Sequence, residues 1–130
     1  MSDVTEFVRA SVAAWDTADW ETLETMWDPE GTIVAPPAWP EGGERHGWAQ
    51  IRDQFERLKA DWNEDHLELV ELAEVRPGTV FACNRWTVTG AASGVPLEVL
   101  IWMVATIREG KFVRIEYFQE EAAARAAAEG

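Results

Sequence analysis

At 130 residues and 47% apolar composition the chain is sized for one domain with its own core, which excludes a disordered protein. Eleven Lys and Arg against 24 Asp and Glu leave a formal net charge of −13, without the basic stripe that nucleic acid or an anionic bilayer requires. The single cysteine, Cys83, excludes an internal disulfide, and the longest strongly apolar run, Val99–Ile107, falls far short of the ~20 residues of a membrane span.

Met1–Phe7 carries Asp3 and Glu6, unlike a secretory leader, so the cytoplasm is the expected location. Val4, Phe7, Val8, Ser11, Val12 and Trp15 recur with helical spacing, with Asp3 as the cap and Glu6 completing a capping box. Trp20, Leu23 and Trp27 share one face of a second, short helix capped by Thr17 or Asp19. Asp28-Pro29-Glu30-Gly31 reads as the turn that stops it, followed by a short strand at Thr32–Ala35. Pro36, Pro37, Pro40 and Gly42-Gly43 then predict a loop with Trp39 at its centre.

Trp48, Ile51, Phe55, Leu58 and Trp62 form one stripe on a third helix from about Gly47 to Asp61. After Asn63 the period changes to two. Strands are expected at His66–Val75, Val80–Thr89, Pro96–Arg108 and Lys111–Phe118. They are joined by turns at Arg76–Thr79, with Gly78 suited to positive φ, at Gly90–Gly94 and at Glu109-Gly110. Glu120–Glu129 reads as an alanine-rich helical tail that frays. Helices segregated from a meandering antiparallel sheet indicate one α+β domain over 1–130.

Eight tryptophans exceed what so small a core needs, so some should line a cavity or an interface. Metal binding is not expected. The two histidines and one cysteine lack ligand spacing, and in the calcium-like run Asp61-x-Asn63-x-Asp65, His66 replaces the glycine and Leu72 the bidentate glutamate. No glycine-rich phosphate loop and no nucleophile elbow occurs, and Cys83 reads as a small buried hydrophobe.

Several runs, in order, resemble the SnoaL-like branch of the nuclear-transport-factor-2-like superfamily. They are Thr17-Ala18-Asp19-Trp20, Met26-Trp27-Asp28-Pro29-Glu30, His46–Phe55, Arg85–Gly90, Arg108-Glu109-Gly110-Lys111 and Ile115-Glu116-Tyr117-Phe118. The resemblance implies a cone: a strongly curved, mostly antiparallel sheet with three N-terminal helices in its concave face and a pocket at the wide end. It also implies a homodimer through the outer sheet face, no cofactor, and a small hydrophobic molecule as partner. Polyketide cyclases, limonene-type epoxide hydrolases, ketosteroid isomerases and non-catalytic binders share this fold, so fold does not settle function. The epoxide hydrolases' water-activating set is incomplete here. Arg85 keeps the arginine, but Thr87 stands for the aspartate, and Ile33 and Ala35 stand for the tyrosine and asparagine. The histidine that many cyclases carry after the central-strand glycine is replaced by Ala91 and Ala92.

By this resemblance Glu116 holds the last-strand acid position and is the first catalytic candidate. A carboxylate in an apolar pocket has a raised pKa and can move a proton. An inward Arg85 would need a carboxylate partner, with Glu116 the candidate, to orient a substrate or form a structural salt bridge. His46, and less so His66, could act as acid or base at the pocket rim, or serve as caps. Trp15, Trp27, Trp48, Trp62 and Trp102, with Phe55 and Phe118, are expected to form the pocket wall, and Tyr117 to face away from Glu116. The expected function is cofactor-independent acid/base chemistry of the isomerase, cyclase, dehydratase or epoxide-hydrolase type. The alternatives are a non-catalytic small-ligand-binding protein and an engineered variant of the scaffold.

Overall fold

The computed structural model describes residues 3–39, 41–60, 62–90 and 96–129. The Asp3 side chain expected as a cap, Pro40 of the loop, Asp61 at the end of the third helix and the expected turn through residues 91–94, with Ala91 and Ala92, lie outside the described residues.

Two helices open the chain, α1 (Asp3–Asp16) and α2 (Trp20–Met26). The Asp19 carboxylate caps α2, accepting hydrogen bonds from the Thr22 backbone N–H at 3.3 Å and the Thr22 hydroxyl at 2.7 Å. Strand β1 (Trp27–Ala35) starts at the helix end. The expected turn Asp28–Gly31 is instead a bulge inside this strand. Trp27 pairs with Phe112 and Thr32 with Arg114, so β1 spends extra residues there. Gly31 is required, because a Cβ there would stand 2.6 Å from the Trp27 ring. The loop that follows contains a strand not anticipated from its prolines and glycines, β2 (Gly43–His46), antiparallel to β1.

Helix α3 (Trp48–Ala60) is followed by four long strands: β3 (Trp62–Arg76), β4 (Thr79–Gly90), β5 (Pro96–Arg108) and β6 (Lys111–Phe118). Gly78 (φ 79°) makes the β3–β4 turn, and Glu109 (φ 52°) with Gly110 (φ 75°) makes the β5–β6 turn. The six strands run in the order β2-β1-β6-β5-β4-β3, antiparallel except for the β1–β6 pair. Register shifts interrupt the β3–β4 ladder at three places and help the long strands bend. The fold is α+β, with α1, α2 and α3 on one face of a six-stranded, mostly antiparallel sheet.

The sheet has two differently covered faces. On the inner face Val80, Ala82, Met103, Ala105, Ile33 and Ile115 meet Val8, Leu23, Ile51 and Phe55 of the first three helices. On the outer face Phe81, Trp102, Val104 and Phe118 meet the fully buried Ala124 and Ala128 of α4 (Glu121–Glu129). The alanine-rich tail is thus docked rather than frayed. The Arg76 guanidinium donates to the Ala128 carbonyl at 2.6 Å, and Arg125 lies over the Phe81 ring at 4.4 Å. Among the described residues no helix is long and apolar enough to cross a membrane.

Candidate functional site

Side chains do not fill the space between the inner sheet face and the helices. A cavity of about 270 Å³ remains there. Alternation fixes its wall. Asn84 and Trp86 on β4, Val99, Ile101 and Met103 on β5, and Ile115 and Tyr117 on β6 point inward. Helices supply Ser11, Val12, Trp15, Leu23, Phe55 and Leu58, while Trp27, Trp39, Leu67 and Phe112 complete the lining. The rings interlock: Trp15 meets Trp86 edge-on at 5.8 Å and Phe55 at 6.0 Å, and Trp39 stacks on Tyr117 at 5.6 Å.

Among the described residues, no lining side chain carries a formal charge at neutral pH. Besides the tryptophans with their indole N–H groups, three have polar tips. The Ser11 hydroxyl donates to the Val8 carbonyl at 2.7 Å, so its hydrogen is committed within α1. Burial raises the Tyr117 phenol above the ordinary tyrosine range, which keeps it a neutral O–H donor. The Asn84 amide nitrogen reaches the Met103 sulfur at 3.8 Å, while its carbonyl oxygen is buried without a hydrogen-bond partner among the described residues.

An ion-paired cluster braces one side of the wall. Lys59 Nζ lies 2.6 Å from Asp65 Oδ2 and 4.2 Å above the Trp15 ring, and Trp86 Nε1 donates to the same Asp65 oxygen at 3.1 Å. The Asp16 carboxylate accepts the Leu67 backbone N–H at 2.7 Å and lies 3.0 Å from His66 Nδ1. His66 therefore ties α1 to β3 at the surface and does not line the cavity.

The structure separates the three catalytic candidates. Glu116 alternates with the inward Ile115 and Tyr117, so it lies on the outer face, 3.3 Å from Arg114. The expected orientation of Glu116 and Tyr117 is therefore reversed. Arg85 also faces outward and pairs with Glu68 at 2.8 Å and Glu98 at 3.4 Å, not with Glu116. His46 ends β2, with Nδ1 3.0 Å from the Thr32 hydroxyl and Nε2 3.3 Å from Glu44, outside the cavity lining.

Of the expected wall, Trp15, Trp27 and Phe55 line the cavity. Trp48 and Trp62 stand behind it, edge-on to Phe55 and Trp86 at 6.4 and 6.1 Å. Trp102 and Phe118 lie on the opposite face under α4. Trp39, Asn84, Trp86 and Tyr117 were not anticipated as wall residues. The signal for three of them was strand parity, Ala82-x-Asn84-x-Trp86-x-Val88 and Ile115-x-Tyr117. No cluster of His, Cys, Asp and Glu among the described residues could hold a metal ion.

A family model of the SnoaL-like domain matches residues 8–115. Among solved structures, TerC co-crystallised with polyporic acid superposes with a TM-score of 0.78 at 23% identity, covering 96% of this chain and 97% of that one. An NTF2-like protein of unknown function from Burkholderia pseudomallei gives 0.81 at 19%, with complete coverage of both chains. IdmH from Streptomyces antibioticus, a candidate polyketide cyclase, gives 0.80 at 16%, covering 99% of each. At such identities the likeness shows the fold alone. A search of the curated proteins finds no match.

Proposed function

The chain belongs to the SnoaL-like domain family, and from that membership and its cavity we propose that it holds a small, uncharged, largely apolar molecule. The observation that carries this is the interior space of about 270 Å³ faced by Trp15, Trp27, Trp39 and Trp86 with no charged lining side chain among the described residues. Desolvating a charged ligand there would go uncompensated, whereas rings and methyl groups gain contact on every side. The volume lies just below the ~300 Å³ at which drug-sized pockets begin, so the occupant is smaller than a drug. Relatives of the same fold are known in complex with polyporic acid (TerC) and with trimethylamine (a protein of Catenulispora acidiphila), which supports a small molecule as the partner here.

Acid/base catalysis by Glu116, Arg85 or His46 is not supported, since none of them lines the cavity. A cyclase- or isomerase-type reaction retains one support, the neutral Tyr117 hydroxyl, which could stabilise charge developing on a substrate carbonyl. Binding is the primary reading. A homodimer through the outer sheet face belongs to the same proposal, supported by the exposed Leu100, which pairs with the outward Arg85, and sedimentation velocity tests it.

The test is a titration with methylnaphthalene, read by tryptophan fluorescence and thermal stabilisation. Saturable binding is expected. Val12→Phe, which fills the cavity from α1, should abolish it while the fold is retained by circular dichroism. No binding to the parent protein, or equal binding to the filled variant, would overturn the reading.

A further inference from the structure

Asn84 is 3% exposed, points into the cavity, and leaves its carbonyl oxygen without a hydrogen bond among the described residues. Buried polar atoms in native proteins are almost always paired, so this one calls for a partner. The amide orientation follows from chemistry. The Met103 sulfur, 3.8 Å from the amide nitrogen, can only accept, so the NH₂ faces sulfur and the oxygen is left without a partner among the described residues. Gln54 also has a buried unpaired oxygen, but it does not line the cavity.

We infer that the molecule this cavity takes carries a neutral O–H or N–H on one edge of an apolar body, and that this group donates to the Asn84 carbonyl oxygen. The inference rests on the binding reading above and narrows it to phenol-, enol- or indole-like compounds. A cationic donor is disfavoured, because no carboxylate lines the cavity among the described residues to neutralise it. Tyr117 adds a complementary group. Its residue pairs with Met103 across β5 and β6, so Asn84 and Tyr117 flank the same methionine. Tyr117 lines the same cavity, and its hydroxyl can donate to a second oxygen of the same ligand.

The experiment compares naphthol, methoxynaphthalene and methylnaphthalene on the parent protein and on Asn84→Leu, by fluorescence titration, with Asn84→Val as a second variant should the leucine fail to fold. Only naphthol can donate. The ratio of naphthol to methylnaphthalene affinity should fall about tenfold in the variant, as expected for loss of one buried hydrogen bond. The ratio of methoxynaphthalene to methylnaphthalene should not change. An unchanged naphthol ratio with all three compounds bound would overturn the inference and leave the binding reading standing. A parallel loss for methoxynaphthalene would also overturn it, since the contact would then run through the amide N–H. Failure of every compound to bind the parent protein would overturn both.

Discussion

Asn84→Leu should stabilise the ligand-free protein. The side chain is buried, its oxygen is unpaired among the described residues, and its one polar contact is a 3.8 Å approach to sulfur. A buried acceptor without a partner costs about 1–3 kcal/mol, and a hydrogen bond to thioether sulfur recovers little of it. Leucine has nearly the same branched shape, and its neighbours would be Ile101, opposite on β5, and Met103, both apolar. The gain should therefore be about 1–3 kcal/mol. Unfolding entropy of ~2.1 cal/mol/K per residue over 130 residues makes ~1 kcal/mol equal to roughly 4 °C. The expected rise in Tm is about 4–12 °C by differential scanning calorimetry without ligand. Loss of ligand selectivity with gain of stability is the usual trade at a binding site. An unchanged or lower Tm in Asn84→Leu would contradict this, because the oxygen would then have a partner worth keeping.

Four further outcomes rest on the same geometry. Asp65→Ala leaves Lys59, whose side chain is 12% exposed, without its carboxylate and frees the Trp86 N–H, so stability should drop by about 3 kcal/mol in urea unfolding. Arg85→Ala removes the ion pairs to Glu68 and Glu98, whose arginine is 37% exposed, and should cost no more than ~1 kcal/mol. Glu116→Gln should change stability and methylnaphthalene affinity by no more than ~0.5 kcal/mol, since the carboxylate lies on the outer face beside Arg114; a large loss of binding would return Glu116 to the site. Tyr117 is the single tyrosine, so tyrosinate absorbance reports it alone. Its folded-state pKa is raised by burial, so its contribution to stability is present below the unfolded value of ~10 and is lost as pH rises toward the folded value. Tyrosinate should therefore appear well above pH ~10, together with unfolding, and Tyr117→Phe should lessen the alkaline loss of stability.

Patterns of period made most of the architecture legible. The stripe Val4–Trp15 became α1, the stripe Trp48–Trp62 became α3 except for Trp62, which begins β3, and the change to period two at Asn63 located the sheet. β2 was hidden because a four-residue strand among prolines and glycines has too few positions to show alternation. The bulge in β1 was hidden because Asp28-Pro29-Glu30-Gly31 has turn composition, and only pairing with β6 reveals it as strand. The docked tail was misread because alanine burial depends on a tertiary partner, here Phe81 on the outer face.

The site was less legible, and the reason lies in β6. Arg114 and Glu116 alternate with Ile115 and Tyr117, and simple patterning turns the charged pair outward. A family likeness suggested the reverse, and the cavity wall follows the patterning. The same parity, carried across the ladder to β4, turns Arg85 out and brings Asn84 and Trp86 in. Trp102 and Phe118 gave no such signal, because both faces of this sheet are covered, one by three helices and one by α4, and both accept aromatic residues.

A crystal structure grown with methylnaphthalene tests the cavity most directly. The rings of the compound should lie in the interior space between Trp15, Trp86 and Tyr117, with the sheet unmoved. Indoles collapsed onto one another with no space left, or the compound seated only on the outer surface, would contradict it.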